Sequence, residues 1–203
     1  MRRVRIALIT LFLAAGCSSK DTAVRDAPVP KYDTDAITQE VMSEFDKNRD
    51  GSLDTSELRA CPALFGALAA IDTNGDKKLS TDEIRKRVEA YAAGSTGSIP
   101  VTCTVRLDGE PLADATVTFD PEPCMGAALK PASAKTSKSG RCTEYEIDGK
   151  TYSGLSAGLY RIRVTKEGAS IPPRFNAQSI LGQEVFHNPR VAEVEVVMDL
   201  ASR

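Results

Sequence analysis

One twelve-residue pattern occurs twice in this chain of 203 residues and constrains its fold more than any other feature. Residues 46–57 read DKNRDGSLDTSE, and residues 72–83 read DTNGDKKLSTDE. Both segments carry oxygen-bearing side chains at positions 1, 3, 5, 9 and 12 and a leucine at position 8. Apolar residues at helical spacing lie before and after each segment. The pattern therefore predicts two helix–loop–helix units whose loops direct oxygen atoms toward one point.

The spacing of the first segment resembles the calcium-binding loop of the EF-hand family. Gly51 stands at position 6, where such a loop turns through a positive φ. The resemblance implies Ca²⁺ as the cofactor and a definite set of ligands. These are Asp46, Asn48, Asp50, the backbone carbonyl of Ser52, Asp54 and Glu57. Dockerin modules also pair calcium loops, but they end the loop in Asp, whereas both loops here end in Glu.

The second segment departs from the family pattern at one position. Its glycine is Gly75 at position 4, and Lys77 occupies position 6. A residue other than glycine at positive φ costs roughly 1–2 kcal/mol, so we expect the second site to be the weaker one. Its expected ligands are Asp72, Asn74, Asp76, the backbone carbonyl of Lys78, Ser80 and Glu83. The alternative for either loop is an acidic turn that binds no metal.

From residue 99 onward the apolar residues alternate with polar ones, as in β-strands. Short alternating segments separated by turn residues predict an antiparallel β-sandwich. The phrases VRLDGEPLADATVTF, KSGRCTEYEI and LSAGLYRIRV resemble transthyretin-like and carboxypeptidase-regulatory (Cna-B-type) domains of surface proteins. That resemblance implies a spacer or partner-binding module rather than a catalytic one. Residues 171–185 do not alternate, so we expect a long loop there.

Together these segments predict an α+β fold of two domains. A helical EF-hand pair occupies residues 35–92, a linker residues 93–98, and a small antiparallel β-sandwich residues 99–203.

The N-terminus has the features of an export signal. Three arginines precede a ten-residue, mostly apolar run, which is half the length that a membrane-spanning helix needs. The small residues before Cys17 resemble the lipobox of bacterial lipoproteins, although Ala14 stands where leucine is usual. We therefore expect a lipoprotein signal peptide over residues 1–16, lipidation of Cys17 and a flexible tether over residues 17–34. A conventional signal peptide with an incidental cysteine is the alternative.

This signal predicts the location of the protein. The chain is expected to be exported and held in the bacterial cell envelope by the lipid on Cys17, at the outer membrane on its periplasmic or surface side.

The other four cysteines contain no C-x-x-C pair, which argues against zinc. Cys124 and Cys142 bracket a loop rich in lysine, serine and glycine, so a disulfide between them is possible in an oxidising compartment. Cys103 alternates with core valines and is expected to be a buried free thiol. Cys61 is expected to pack beside Pro62.

Composition excludes several classes of function. A formal net charge of −2 gives no basic field for nucleic acid, and a single histidine excludes a histidine-rich metal site. Residues 154–158 read GLSAG and fit the nucleophile elbow of hydrolases, but a strand rather than a helix follows. His187 precedes Asn188-Pro189, a dipeptide typical of turns, and is expected to be a solvated loop residue.

The predicted function is calcium binding by a non-catalytic envelope lipoprotein with an unknown protein or glycan partner. Two alternatives remain open: a calcium-gated adhesin in which metal exposes a groove, and a hydrolase with two carboxylates converging in the sandwich.

Overall fold

A computed structural model describes residues 29–94, 97–187 and 193–203. The signal peptide predicted at residues 1–16, Cys17 and most of the predicted tether lie outside these residues. Within the described ranges, no helix combines the length and the apolar character that crossing a membrane requires.

Helices form the first part of the described chain. They are α1 (Thr34–Phe45), α2 (Thr55–Leu58), α3 (Pro62–Ile71) and α4 (Thr81–Ala93). Helix α1 begins where the Asp33 carboxylate accepts a hydrogen bond from the backbone N–H of Ala36. Its buried face includes Ile37, Val41 and Phe45, which confirms the helical spacing read from the sequence.

Strands form the remainder and also join the two loops. They are β1 (Ser52–Leu53), β2 (Leu79–Ser80), β3 (Ile99–Leu107), β4 (Glu110–Pro111), β5 (Thr116–Pro121), β6 (Ala132–Lys135), β7 (Arg141–Cys142), β8 (Tyr145–Ile147), β9 (Lys150–Tyr152), β10 (Gly154–Leu155), β11 (Gly158–Thr165), β12 (Leu181–Val185) and β13 (Val194–Leu200). Short 3₁₀ turns occur at Pro123–Ala128 and Pro173–Phe175.

The long strands make two sheets. One places β3 between β10 and β13, with β4 and β7 also paired to β3. The other has the order β12-β11-β5-β6-β8-β9. The largely antiparallel β-region is thus confirmed, with one exception: β13 runs parallel to β3, so that Val194 lies opposite Val101.

The structure differs from the long loop expected at residues 171–185. Strand β12 forms within this segment and pairs antiparallel with β11, placing Val185 opposite Gly158. Only Val185 is buried in β12, while its other four residues are partly covered. Partial cover on both faces removes the alternation on which strand recognition depends.

Helix α3 lies directly against β12 and joins the helical part to the β-region. A Cβ atom built at Gly182 would lie 2.7 Å from the carbonyl carbon of Pro62 and closer still to the nitrogen of Ala63. Only glycine therefore permits this approach. One continuous cluster of buried apolar side chains includes residues of both parts. The division into two domains with a linker at residues 93–98 stays a prediction.

A buried ion pair makes a second connection, which we call the Arg87 cluster: Arg87 and Tyr91 of α4, Glu184 of β12, and Phe186. The Arg87 guanidinium donates to both carboxylate oxygens of Glu184 at 2.6 Å. It also lies over the Phe186 ring, 3.7 Å from the ring centre. The Tyr91 hydroxyl donates to the same carboxylate. Burial and the Glu184 charge together raise the pKa of Tyr91 well above its usual value.

Two further hydrogen bonds cross between the parts. Arg161 of β11 donates to the backbone oxygen of Ala60 at 2.8 Å, and the Tyr32 hydroxyl donates to the backbone oxygen of Ala157 at 2.6 Å. Since Tyr32 lies in the segment expected to be a tether, the last residues of that segment contact the β-region.

Candidate metal centre

The two acidic loops lie side by side. Strands β1 and β2 pair antiparallel, with Leu53 opposite Leu79 and Ser52 opposite Ser80. Both leucines are fully buried, and each occupies position 8 of its loop. Position 8 therefore joins the loops.

In the first loop, acidic and amide side chains accept hydrogen bonds from the loop backbone. Asp46 accepts from the N–H groups of Asp50 at 3.2 Å and Gly51 at 3.0 Å. The side-chain oxygen of Asn48 accepts from Asp50 at 2.8 Å, and the Asp50 carboxylate accepts from Ser52 at 3.0 Å. These bonds hold the side chains of positions 1, 3 and 5 against one turn of the chain.

The second loop repeats this arrangement. Asp72 accepts from the N–H groups of Gly75 at 2.7 Å and Lys77 at 2.8 Å. The side-chain oxygen of Asn74 accepts from Asp76 at 2.9 Å. The two loops thus share one backbone design despite their different sequences.

Glu57, at position 12, reaches back across the first loop. One carboxylate oxygen accepts from the N–H of Lys47 at 2.9 Å, and the other accepts from the N–H of Asp54 at 3.0 Å. Asp54 in turn caps α2, so the two residues form a capping box. Glu57 therefore ties both ends of its loop to the start of the exiting helix.

Glu83 has the same role in the second loop. Its carboxylate accepts from the N–H of Thr73 at 2.7 Å and from the N–H of Ser80 at 3.0 Å. Burial opposes ionisation of Glu83, but the hydrogen bonds from Ser80 and Thr73 outweigh it and lower its pKa to about 2.

The low pKa of Glu83 makes an acid-stability difference testable. Because the folded pKa lies below the ordinary value of 4.5, the ionised carboxylate stabilises the fold above about pH 4.5. That stabilisation is lost as the pH falls toward 2. In metal-depleted buffer, we expect the Tm of the wild type to exceed that of Glu83→Gln at neutral pH, and the two melting curves to converge near pH 2. A constant difference across this range would contradict the assignment.

Both loops offer only oxygen donors, which suits calcium. Across residues 29–94, 97–187 and 193–203, no three or more His, Cys, Asp or Glu side chains are grouped as a bound metal would need. Glu57 and Glu83 direct their oxygens at loop N–H groups instead. Calcium bound in a loop would supply the positive charge that holds its carboxylates together.

The backbone conformation removes the reason given above for expecting a weaker second site. Positions 4 and 6 have positive φ in both loops: Arg49 at 61° and Gly51 at 83° in the first, Gly75 at 78° and Lys77 at 64° in the second. Each loop therefore holds one residue other than glycine in the left-handed region. Strain at Lys77 does not distinguish the second loop, because Arg49 carries the same strain in the first.

This symmetry predicts equal relief of strain at the two positions. We expect Arg49→Gly and Lys77→Gly each to raise the free energy of unfolding by about 1 kcal/mol, because glycine adopts a positive φ without steric cost. Arg59→Gly is the matched control, since Arg59 has a φ of −61° and should lose stability. Chemical denaturation of the metal-free variants measures all three, and destabilisation by both loop substitutions would refute the strain.

Charge still distinguishes the loops. Four carboxylates occupy ligand positions of the first loop and three occupy those of the second. Lys78 of the second loop forms an exposed ion pair with Asp50 of the first, 3.3 Å apart. Hydrogen bonds from the Ser52 hydroxyl and N–H, aided by Lys78, lower the pKa of Asp50. No local sequence pattern marks this contact, because it depends on how the loops pair.

The possible disulfide between Cys124 and Cys142 is not formed in the structure. All four described cysteines are buried free thiols. Cys142 lies in β7 directly opposite Cys103 of β3, whereas Cys124 lies in the 3₁₀ turn after β5. Strand pairing therefore places Cys142 beside a different cysteine from the one that sequence spacing suggested. Cys61 is the N-cap residue of α3, immediately before Pro62.

The other two candidate residues of the sequence analysis, Ser156 and His187, lie outside the two acidic loops. Ser156, at the centre of the GLSAG segment, lies between β10 and β11, and a strand follows it. His187 is exposed just after β12.

Comparisons with known proteins bear on the first loop. Residues 38–62 match the family model described as EF hand, which spans the first loop but not the second. No curated protein matches the chain. Among solved structures, the full-length major pilin SpaD from Corynebacterium diphtheriae is similar to 51% of this chain, at 14% identity and a TM-score of 0.31, and the match covers 29% of the pilin chain. The family match indicates calcium binding and leaves the number of sites open.

Proposed function

We propose that this chain is a non-catalytic, calcium-binding lipoprotein of the bacterial cell envelope, with one site in each loop. The observation that carries the proposal is the pairing of the two loops through Leu53 and Leu79. Each loop presents the same series of oxygen donors and ends in a glutamate that bonds both loop ends. Paired loops of this kind support each other's geometry, so binding at two sites follows from one design.

The first site is the tighter one in this proposal. It has Asp54 at position 9, where the second loop has Ser80, and affinity in such loops rises with ligand charge. Lys78 lies within the second loop and opposes a cation there.

A stabilising role for calcium is favoured over the exposure of a groove. Helix α3 lies against β12, and at Gly182 the two backbones are so near that a Cβ atom would overlap Pro62 and Ala63. The Arg87 cluster also fixes α4 to the same strand. A metal-driven opening of these helices would have to break both contacts. We therefore assign the β-region the role of a spacer or partner-binding module beside a calcium-stabilised helical part.

Calorimetric titration of the full chain with Ca²⁺ and Mg²⁺ tests the metal assignment. We expect two calcium-binding events in the wild type, loss of the tighter one in Glu57→Gln, and loss of the weaker one in Glu83→Gln. Glu40→Gln and Glu89→Gln are matched controls, because both residues are exposed on helices outside the loops. Absence of binding heat after thorough chelation would overturn the proposal.

Anchoring is tested separately. Fatty-acid labelling of cells producing the full chain should mark the wild type, and Cys17→Ala should abolish the label and release the protein from the membrane fraction. An unlabelled wild type would refute lipidation without affecting the calcium assignment.

A further inference from the structure

Two cysteines face each other across paired strands of the β-region. Cys103 of β3 is the direct partner of Cys142 in β7, and the neighbouring pair is Thr104 with Arg141. Directly opposite residues of antiparallel strands have Cα atoms about 4.5–5.5 Å apart. Disulfides span Cα separations of about 4.4–6.8 Å. The backbone therefore already holds the two residues at bridging distance.

The two side chains are also close enough to interact. Both thiols are buried, and each shifts the pKa of the other. The hydrogen bond from Cys103 lowers the pKa of Cys142, although burial opposes this shift.

We propose that Cys103 and Cys142 form an intramolecular disulfide when the chain folds in the presence of a small-molecule or protein disulfide as oxidant. The Cys142 thiolate attacks one sulfur of the oxidant, releases the other as a thiolate, and forms a mixed disulfide. The Cys103 thiolate then attacks the Cys142 sulfur and expels the second oxidant thiolate. The two cysteines together lose two electrons and two protons, and the oxidant is reduced to two thiols.

The burial of the pair sets when this reaction takes place. Cys103 has no exposed surface and Cys142 is 5% exposed, so an external oxidant reaches them only before the two sheets close. Once formed, the bond is shielded from reductant by the same packing. The inference depends on the β-region alone and does not rest on calcium binding.

The other two cysteines within the described residues provide an internal comparison. Cys61 and Cys124 are also buried, and they are near enough for the charge of Cys61 to raise the pKa of Cys124. They lie at the start of a helix and in a 3₁₀ turn, however, and no strand pairing aligns their backbones. We therefore expect them to remain thiols under conditions that oxidise the strand pair.

Peptide mapping of the full chain decides the pairing. The reduced, unfolded chain is refolded with glutathione disulfide, blocked with an alkylating reagent and digested with trypsin. Cleavage places the four described cysteines in separate peptides, residues 60–77, 88–106, 107–135 and 142–150, and Cys17 in residues 6–20. We expect 88–106 linked to 142–150, with the other two peptides alkylated. Links that instead join Cys61 or Cys124, or alkylation of all four cysteines, would overturn the proposal.

A thermal measurement gives an independent readout. Oxidised wild type should melt roughly 10 °C above the reduced protein, because the bridge restrains the unfolded chain. The double variant Cys103→Ala/Cys142→Ala should show no effect of reductant on its Tm. Cys61→Ala and Cys124→Ala should retain the wild-type response. A Tm difference that survives in the double variant would place the bond elsewhere.

Discussion

Replacing Glu184 by alanine is expected to lower the free energy of unfolding by about 3–5 kcal/mol. The substitution removes the carboxylate that accepts two hydrogen bonds from Arg87 and one from Tyr91. Arg87 is largely buried, so its guanidinium would be left without its partner in a poorly solvated position. Most of this loss of stability comes from leaving the Arg87 charge unpaired and poorly solvated, and less of it comes from the favourable energy of the ion pair itself.

A double-mutant cycle separates these contributions. We expect Arg87→Ala/Glu184→Ala to cost less than the sum of the two single substitutions, because the double variant leaves no charge unpaired. Asp199→Ala is the matched control. It breaks an exposed cross-strand pair with Arg106, of 3.1 Å, and should cost less than about 1 kcal/mol. Equal costs for Glu184→Ala and Asp199→Ala in chemical denaturation would contradict the role assigned to the Arg87 cluster.

Gly182→Ala is expected to destabilise the protein by about 2–3 kcal/mol, although it adds only one methyl group. That methyl would lie 2.7 Å from the carbonyl carbon of Pro62, so α3 must move away from β12. The neighbouring atoms belong to the backbone at the start of a helix, where local adjustment of a side chain cannot relieve the overlap.

Gly66→Ala, within helix α3, is the control for this substitution. A Cβ at Gly66 meets nothing within 4 Å, and alanine favours the helical state by about 1 kcal/mol. Chemical denaturation should therefore shift the two variants in opposite directions. A neutral Gly182→Ala would show that the contact between α3 and β12 is easily deformed.

The loops could be predicted from the sequence because their geometry is local. Each donor, turn residue and helix cap lies within one stretch of twelve residues, so spacing alone fixes which side chains share a turn. The burial of Ile37, Val41 and Phe45 follows equally from a helical period. The positive φ of Arg49 was missed because position 4 of such a loop has no required residue type.

Features that depend on distant pairing could not be read in this way. The partner of Cys142 is set by how β7 aligns with β3, and sequence spacing favoured Cys124 instead. The sequence predicts a loop at strand β12 because partial cover on both faces of that strand removes the alternation of apolar and polar residues. The bond between Arg87 and Glu184 joins residues of two separate parts, and neither side chain lies in a motif that marks it.

The parallel pairing of β13 with β3 sets the order in which this chain can complete its fold. Val194 pairs with Val101, and Leu200 pairs with Leu107. Most of the β-region therefore lies between the two strands in the sequence. Contacts this remote require closure of a long loop and are among the slowest to form. During synthesis, which begins at the N-terminus, the acidic loops can fold well before β13 is available to cover this edge of β3. During that interval, the edge of β3 that β13 will cover is exposed to solvent and to other extended chains. Strand β13 therefore also protects β3 from aggregation.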